Sequence, residues 1–147
     1  MKVNTATYKK LLESGWTLSR KIDATDIINA LSNEDYKVSD YALKVIESFG
    51  YLELDHPAFR MENEIQKLHF NPIKACENIY REKVEDYEER AGESLTVIGE
   101  AYDDYITLMI SETGKIYGGY DDDLSFFGNS FAEALDAIYL SREIKKI

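Results

Sequence analysis

Asp121-x-Asp123-x-Ser125 is the stretch of this 147-residue chain that most resembles a cation loop. A calcium loop of the EF-hand kind alternates oxygen ligands, then needs Gly at the sixth position and a bidentate acid at the twelfth. Counted from Asp121, those positions hold Phe126 and Ala132, Glu133 falls one residue late, and a strand pattern leads in. The spacing excludes an EF-hand. A looser divalent site built from Glu100, Asp103 or Asp104 with these aspartates has no motif behind it, so no metal is expected. His56 and His69 are the only histidines and neither has Cys or His at zinc spacing. They read as a loop histidine beside Pro57 and a strand histidine. Cys76 lies on the apolar stripe of a helix pattern, which fits a buried, inert thiol better than a nucleophile. No G-x-S-x-G, Walker loop or G-x-G-x-x-G occurs. Gly118-Gly119 is followed by three aspartates that would repel phosphate. With 28 acidic residues, neighbouring carboxylates are expected by number alone and mark no acid–base pair. No cofactor and no enzymatic activity are expected.

The chemistry the acids do offer is electrostatic. Residues 1–50 balance seven acidic against seven basic side chains, whereas residues 85–136 hold fourteen acids against Arg90 and Lys115, a net of −12. A field of one sign repels phosphate backbones and anionic lipid and attracts basic surfaces. Nucleic acid is therefore a poor direct ligand and a basic protein a good one. No apolar run approaches the roughly 18 residues that span a bilayer, and "MKVNTATYKKLLESG" reads as a polar helix, not a secretory signal. A single cysteine cannot form an internal disulfide, which fits a reducing cytoplasm.

The elements that must carry these residues read as α+β in one domain spanning 1–147: N-terminal helices, a mainly antiparallel sheet with a meander in the C-terminal half, and a closing C-terminal helix. A 44% hydrophobic and 12% aromatic composition supports a core. Residues 5–14 read as a helix ended by Gly15, followed by a short helix near 24–32. A third runs from the N-cap Ser39, with Ala42, Val45, Ile46 and Phe49 along one face and Gly50 as its stop. Trp16 reads as a packing residue. Strands are expected at 51–55 and 64–70, separated by a loop containing His56-Pro57. Asn71-Pro72 opens a helix whose apolar stripe runs from Ile73 to Ala91, with a break near Arg81 left open. Strands follow at 95–101, 105–111, 115–120 and 124–128, with Gly118-Gly119 expected to permit an unusual backbone. Ser130-x-x-Glu133 is a capping box opening the last helix, and Arg142, Lys145 and Lys146 suit the negative end of its dipole. Tyr102, Tyr105, Tyr117 and Tyr120 lie beside the acidic loops, where either sheet packing or a protein interface would use them.

Several of these segments together resemble the third subgroup of the SUKH superfamily of bacterial immunity proteins. They are Gly15-Trp16 with Arg20-Lys21-x-Asp23, Phe49-Gly50 leading into a strand, and "FNPIKA" at 70–75. The longest are "YEERAGESLTVIGEA" at 87–101 and "GKIYGGYDDDLSFFGNSFAEAL" at 114–135. Asn71 stands where the pattern has Asp, and Val97 where it has Pro. The resemblance covers about residues 15 to 140. It implies a compact α+β immunity (antitoxin) protein that binds and neutralises the toxin domain encoded beside it, commonly a nuclease. An acidic surface would be steered to a nuclease's basic cleft and compete for its phosphate sites. On that reading the toxin-binding residues are Glu100, Asp103, Asp104, Tyr120, Asp121, Asp122 and Asp123. The alternatives are a non-enzymatic regulatory or scaffold protein with another basic partner, and a metal-dependent enzyme using the clustered acids.

Overall fold

The N-terminal helices form where the capping residues predict. The computed structural model describes residues 1–147, apart from the side chain of Glu62. Helix α1 spans Thr5–Glu13, with the Asn4 side chain accepting from the Ala6 N–H, and Gly15 beyond its end takes φ +96°. Helix α2 covers Thr25–Asn33 and buries Ile27 and Leu31. Helix α3 covers Asp40–Phe49, capped by Ser39, and buries Ala42, Ile46 and Phe49. Trp16 stacks on Phe49 with ring centroids 5.3 Å apart, and its indole N–H donates to Ser48 Oγ. Arg20 donates to the carbonyls of Ser48 and Gly50. Gly15-Trp16, Arg20 and Phe49-Gly50 are thus one packing unit that closes the helical layer. Phe49 then meets Phe70 and Phe131, joining that layer to the rest of the core.

Seven strands follow in sequence order across one antiparallel sheet: β1 Glu53–Ala58, β2 Met61–His69, β3 Leu95–Ala101, β4 Ile106–Ser111, β5 Ile116–Tyr120, β6 Asp123–Gly128 and β7 Lys145–Lys146. Consecutive hairpins alternate ends of such a sheet, so the β1–β2, β3–β4 and β5–β6 turns all lie at one end. The α+β class, the N-terminal helices, the meander and the closing helix α6 (Phe131–Tyr139) are as expected. The Ser130 side chain accepts from the Glu133 N–H, and Glu133 accepts from the Asn129 N–H.

Three local expectations are corrected, and the break left open near Arg81 is found. His56-Pro57 lies inside β1, not in a loop. Proline is tolerated there because β1 is the edge strand and the register slips at Pro57/Ala58. The stripe from Ile73 to Ala91 is two helices, α4 Pro72–Cys76 and α5 Arg81–Ala91. Tyr80 between them is extended, with ψ 146°, and Asn78 in the break turns its amide toward Glu100. Lys145 and Lys146 do not serve the α6 dipole; they pair with Phe126 and Ser125 as β7. Gly118 and Gly119 sit in ordinary strand conformation inside β5. What they supply is room: a Cβ on Gly119 would lie 2.4 Å from the Tyr87 ring, and one on Gly118 would lie 2.3 Å from the Phe127 ring. Among the described residues no helix is long and apolar enough to cross a membrane.

Candidate functional site

His69 pairs with Glu100, Glu100 with Thr107, and Thr107 with Gly119 across β2 to β5. Residues directly opposite one another share a face, so the register lines these four side by side. Glu100 is 0% exposed. This is a correction to its expected place on a partner-facing surface, and the reason is the helix break above it. One carboxylate oxygen stands 2.7 Å from His69 Nε2 and the other accepts from Asn78 Nδ2 at 2.9 Å. A carboxylate so provided with donors can stay buried. Asp104 approaches the same His69 Nε2 at 3.4 Å and Lys74 Nζ at 3.5 Å.

His69, Glu100 and Asp104 offer ligand atoms within 4.8 Å of one another, a spacing a divalent cation accepts. The hydrogen bonds argue for a different use. The Asn71 N–H donates to His69 Nδ1 at 3.0 Å, so the neutral ring carries its proton on Nε2, aimed at the two carboxylates. A metal at Nε2 would need that proton gone while Nδ1 still accepts. The cluster works as a proton-donating histidine between two acids. Cys76 is equally inert, because burial, then Glu34 and Glu100, push its thiol up to about 11.

The turns at this end are tied down by the same acids that looked free in the sequence. In the β3–β4 turn Tyr102, Asp103 and Asp104 all take positive φ, at 55°, 55° and 69°. Asp103 donates its N–H to the Lys67 carbonyl and accepts the Lys67 N–H on its carboxylate at 2.7 Å. That double link extends the β2–β3 seam, which has a single strand bridge at His69–Glu100. The Tyr102 N–H donates to His56 Nε2, whose other nitrogen donates to the Pro57 carbonyl. In the β5–β6 turn the carbonyl of Asp121 accepts from Tyr87 Oη, and that of Asp122 accepts from Arg90. Lys83 Nζ donates to the Asp122 carboxylate at 2.7 Å, which lowers the Asp122 pKa and raises that of Lys83. Asp122 is almost fully exposed and Lys83 about a third exposed, so water screens the pair and it contributes little to stability. Lys146 approaches Asp123 at 3.8 Å.

Of the seven expected site residues, Glu100 is buried. Asp103, Asp104, Tyr120 and Asp121–Asp123 gather at the turn end, several of them already engaged with Lys74, Lys83 or Lys146. The acids left without an ion-pair partner among the described residues include Glu82, Glu85, Asp86 and Glu89, exposed on the outer side of α5. Helix α5 lies beside the β5–β6 turn through Lys83, Tyr87 and Arg90, and carries these acids on its solvent side. They were not among the expected site residues; their position off the apolar stripe was the available signal. Tyr80, 82% exposed in the helix break, was also missed. Tyr80, Tyr105, Tyr120, Asp104 and Asp121 border one cavity of about 390 Å³, with Glu100 at its floor.

A helix-covered antiparallel meander whose acid-rich end presents exposed tyrosines defines an acidic α+β protein suited to holding a partner. The chain belongs to the SUKH-3 immunity protein family, whose family model matches residues 3–140. Membership carries a toxin-neutralising immunity function, a cognate toxin as partner, and a generally non-enzymatic character. Neither a curated protein nor a solved structure matches the chain.

Proposed function

We propose that this protein binds a cognate nuclease toxin domain in the cytoplasm of the producing cell and blocks it by competing for its basic cleft. The observation that carries the reading is the gathering of carboxylates at the turn end, Asp103-Asp104 and Asp121–Asp123, with the solvated acids of α5 beside them. A nuclease cleft is basic because it must hold phosphates, and carboxylates at similar spacing would occupy those phosphate positions. Steering by opposite charge speeds encounter and weakens with salt. Tyr120 adds contact area beside the charges. Glu100 acts from beneath, fixing the turn end through His69 and Asn78.

Co-expression with the toxin encoded beside the gene, scored by growth rescue and co-purification, tests this directly. No rescue and no complex would reject the immunity reading. Replacing Asp121, Asp122 and Asp123 together by Asn should slow association while leaving the melting temperature nearly unchanged, since the pairs lost are solvent-exposed. A triple variant that associates and protects as well as the parent at moderate salt would show that these residues are not part of the partner surface.

A further inference from the structure

The exposed Tyr105–Tyr120 pair stands between two unlike concavities. Their rings meet edge to face at 6.1 Å, and they are 65% and 44% exposed. On one side is the acidic cavity already described. On the other is a groove of about 630 Å³ along Phe59, Tyr102, Ile106, Phe127 and Ile144. Phe59 and Arg60 of the β1–β2 turn line one side of this groove, and Arg60 pairs with Glu143, another of its lining residues. Phe127 forms its floor because Gly118 has no Cβ to displace the ring. The groove's cations are already matched, Arg60 by Glu143 and Lys146 by Asp123. Lys83 in the acidic cavity is likewise held by Asp122. An arriving segment therefore meets apolar rings on one side of the tyrosine pair, and on the other tyrosine faces with Asp121, which has no ion-pair partner among the described residues, beside Asp104, which Lys74 and His69 already approach. Rings beside carboxylates favour a cation, both through the ring quadrupole and through charge.

We propose that this surface is the affinity anchor for the partner: it docks a segment with a bulky apolar side chain in the groove and an adjacent Lys or Arg in the cavity. The proposal rests on the reading of a basic partner and deepens it. The α5 and turn acids guide encounter, and the tyrosine-divided surface holds the complex. A second copy of this chain is the wrong occupant, because a net charge of −11 on each copy opposes it.

The probe is the capped dipeptide N-acetyl-Trp-Lys-amide, titrated against the 15N-labelled protein. Saturable shifts are expected at the amides of Ile106, Gly119, Tyr120 and Ser125, with N-acetyl-Trp-Glu-amide binding about tenfold more weakly. Tyr105→Ala, at a solvent-exposed ring, and Ser125→Arg, which adds a cation to the groove, should each weaken the Trp-Lys probe by about tenfold while the circular dichroism spectrum stays unchanged. With the toxin encoded beside the gene, both variants should speed dissociation, and Tyr105→Ala, which changes no charge, should do so without changing the salt dependence of association. Equal binding of the two dipeptides, shifts scattered elsewhere, or unchanged toxin dissociation in both variants overturns the proposal. So does a change in the sedimentation of the free protein on substitution, which would identify a second copy as the occupant. A toxin that never binds the parent protein rejects the immunity reading instead, and the dipeptide titration still judges the groove.

Discussion

Glu100 and Glu85 carry the same formal charge, yet the fold uses one and leaves the other to water. Glu100 is sealed under the α4–α5 break, with one oxygen on His69 and the other on Asn78. Glu85 sits with Glu82, Asp86 and Glu89 on the outer side of α5, where no described residue pairs with it. A buried carboxylate with all its donors organises its surroundings, and removing it orphans those donors. A row of solvated carboxylates organises nothing nearby and projects a field that is felt at a distance of about a Debye length, roughly 8–10 Å. Charge counting treats the two alike. The difference is that one set answers to stability and the other to association.

The largest expected effect breaks the first half of that contrast. Glu100→Ala leaves His69 Nε2–H only its longer contact to Asp104 and turns the exposed Asn78 amide back to water, and should cost about 2 kcal/mol in urea denaturation. Glu100→Gln keeps an acceptor for one donor and should cost less. An Ala variant with the parent's urea midpoint would mean the network contributes nothing.

The second half is sharpened by neutralising α5. Converting Glu82, Glu85 and Glu89 to Gln and Asp86 to Asn should leave the melting temperature level or slightly raised. The substitutions remove two repulsive i,i+4 pairs, Glu82/Asp86 and Glu85/Glu89, each worth a few tenths of a kcal/mol. Stopped-flow association with the toxin should slow by about tenfold at low salt and lose much of its salt dependence. Unchanged association would place the steering charges elsewhere.

The parts legible in the sequence were those written in local chemistry. Ser39, Gly15 and the Ser130–Glu133 box announce their helix ends, and the alternation around Ile106 to Ile110 announces a strand, because caps and pleats depend on near neighbours. The break after Cys76 was only half visible, since its purpose is tertiary: it brings Asn78 to Glu100. Pro57 concealed a strand because only an edge position tolerates it, and edge position is a property of the whole sheet. Two-residue β7 has no periodicity to read. At the site, the sign of the charge was legible but its pairing was not. Lys83 and Asp122 lie 39 positions apart and meet only because α5 runs beside the β5–β6 turn. Asp103 looked like a free acid and is a strand clamp for the same reason.

His56 offers the smallest and most selective test of interior against surface. It is buried at the base of the turn end, with Nδ1–H on the Pro57 carbonyl and Nε2 accepting the Tyr102 N–H. Burial lowers its pKa below the ordinary 6.5, and the hydrogen bond to Pro57 only partly offsets this. In the unfolded chain the ring takes up a proton near 6.5. The unfolded state therefore binds more protons between that value and the lower folded one, and stability falls as pH drops through this window. Above pH 6.5 the contribution is fully present. A proton NMR titration of the two histidine ring signals should show the His56 midpoint below 6.5. The melting temperature should decline between pH 7 and 5.5 more steeply in the parent than in His56→Gln, whose amide does not titrate. A His56 midpoint at or above 6.5 would mean that Tyr102 does not hold the neutral ring, and that the turn end is more open to water than its hydrogen bonds imply.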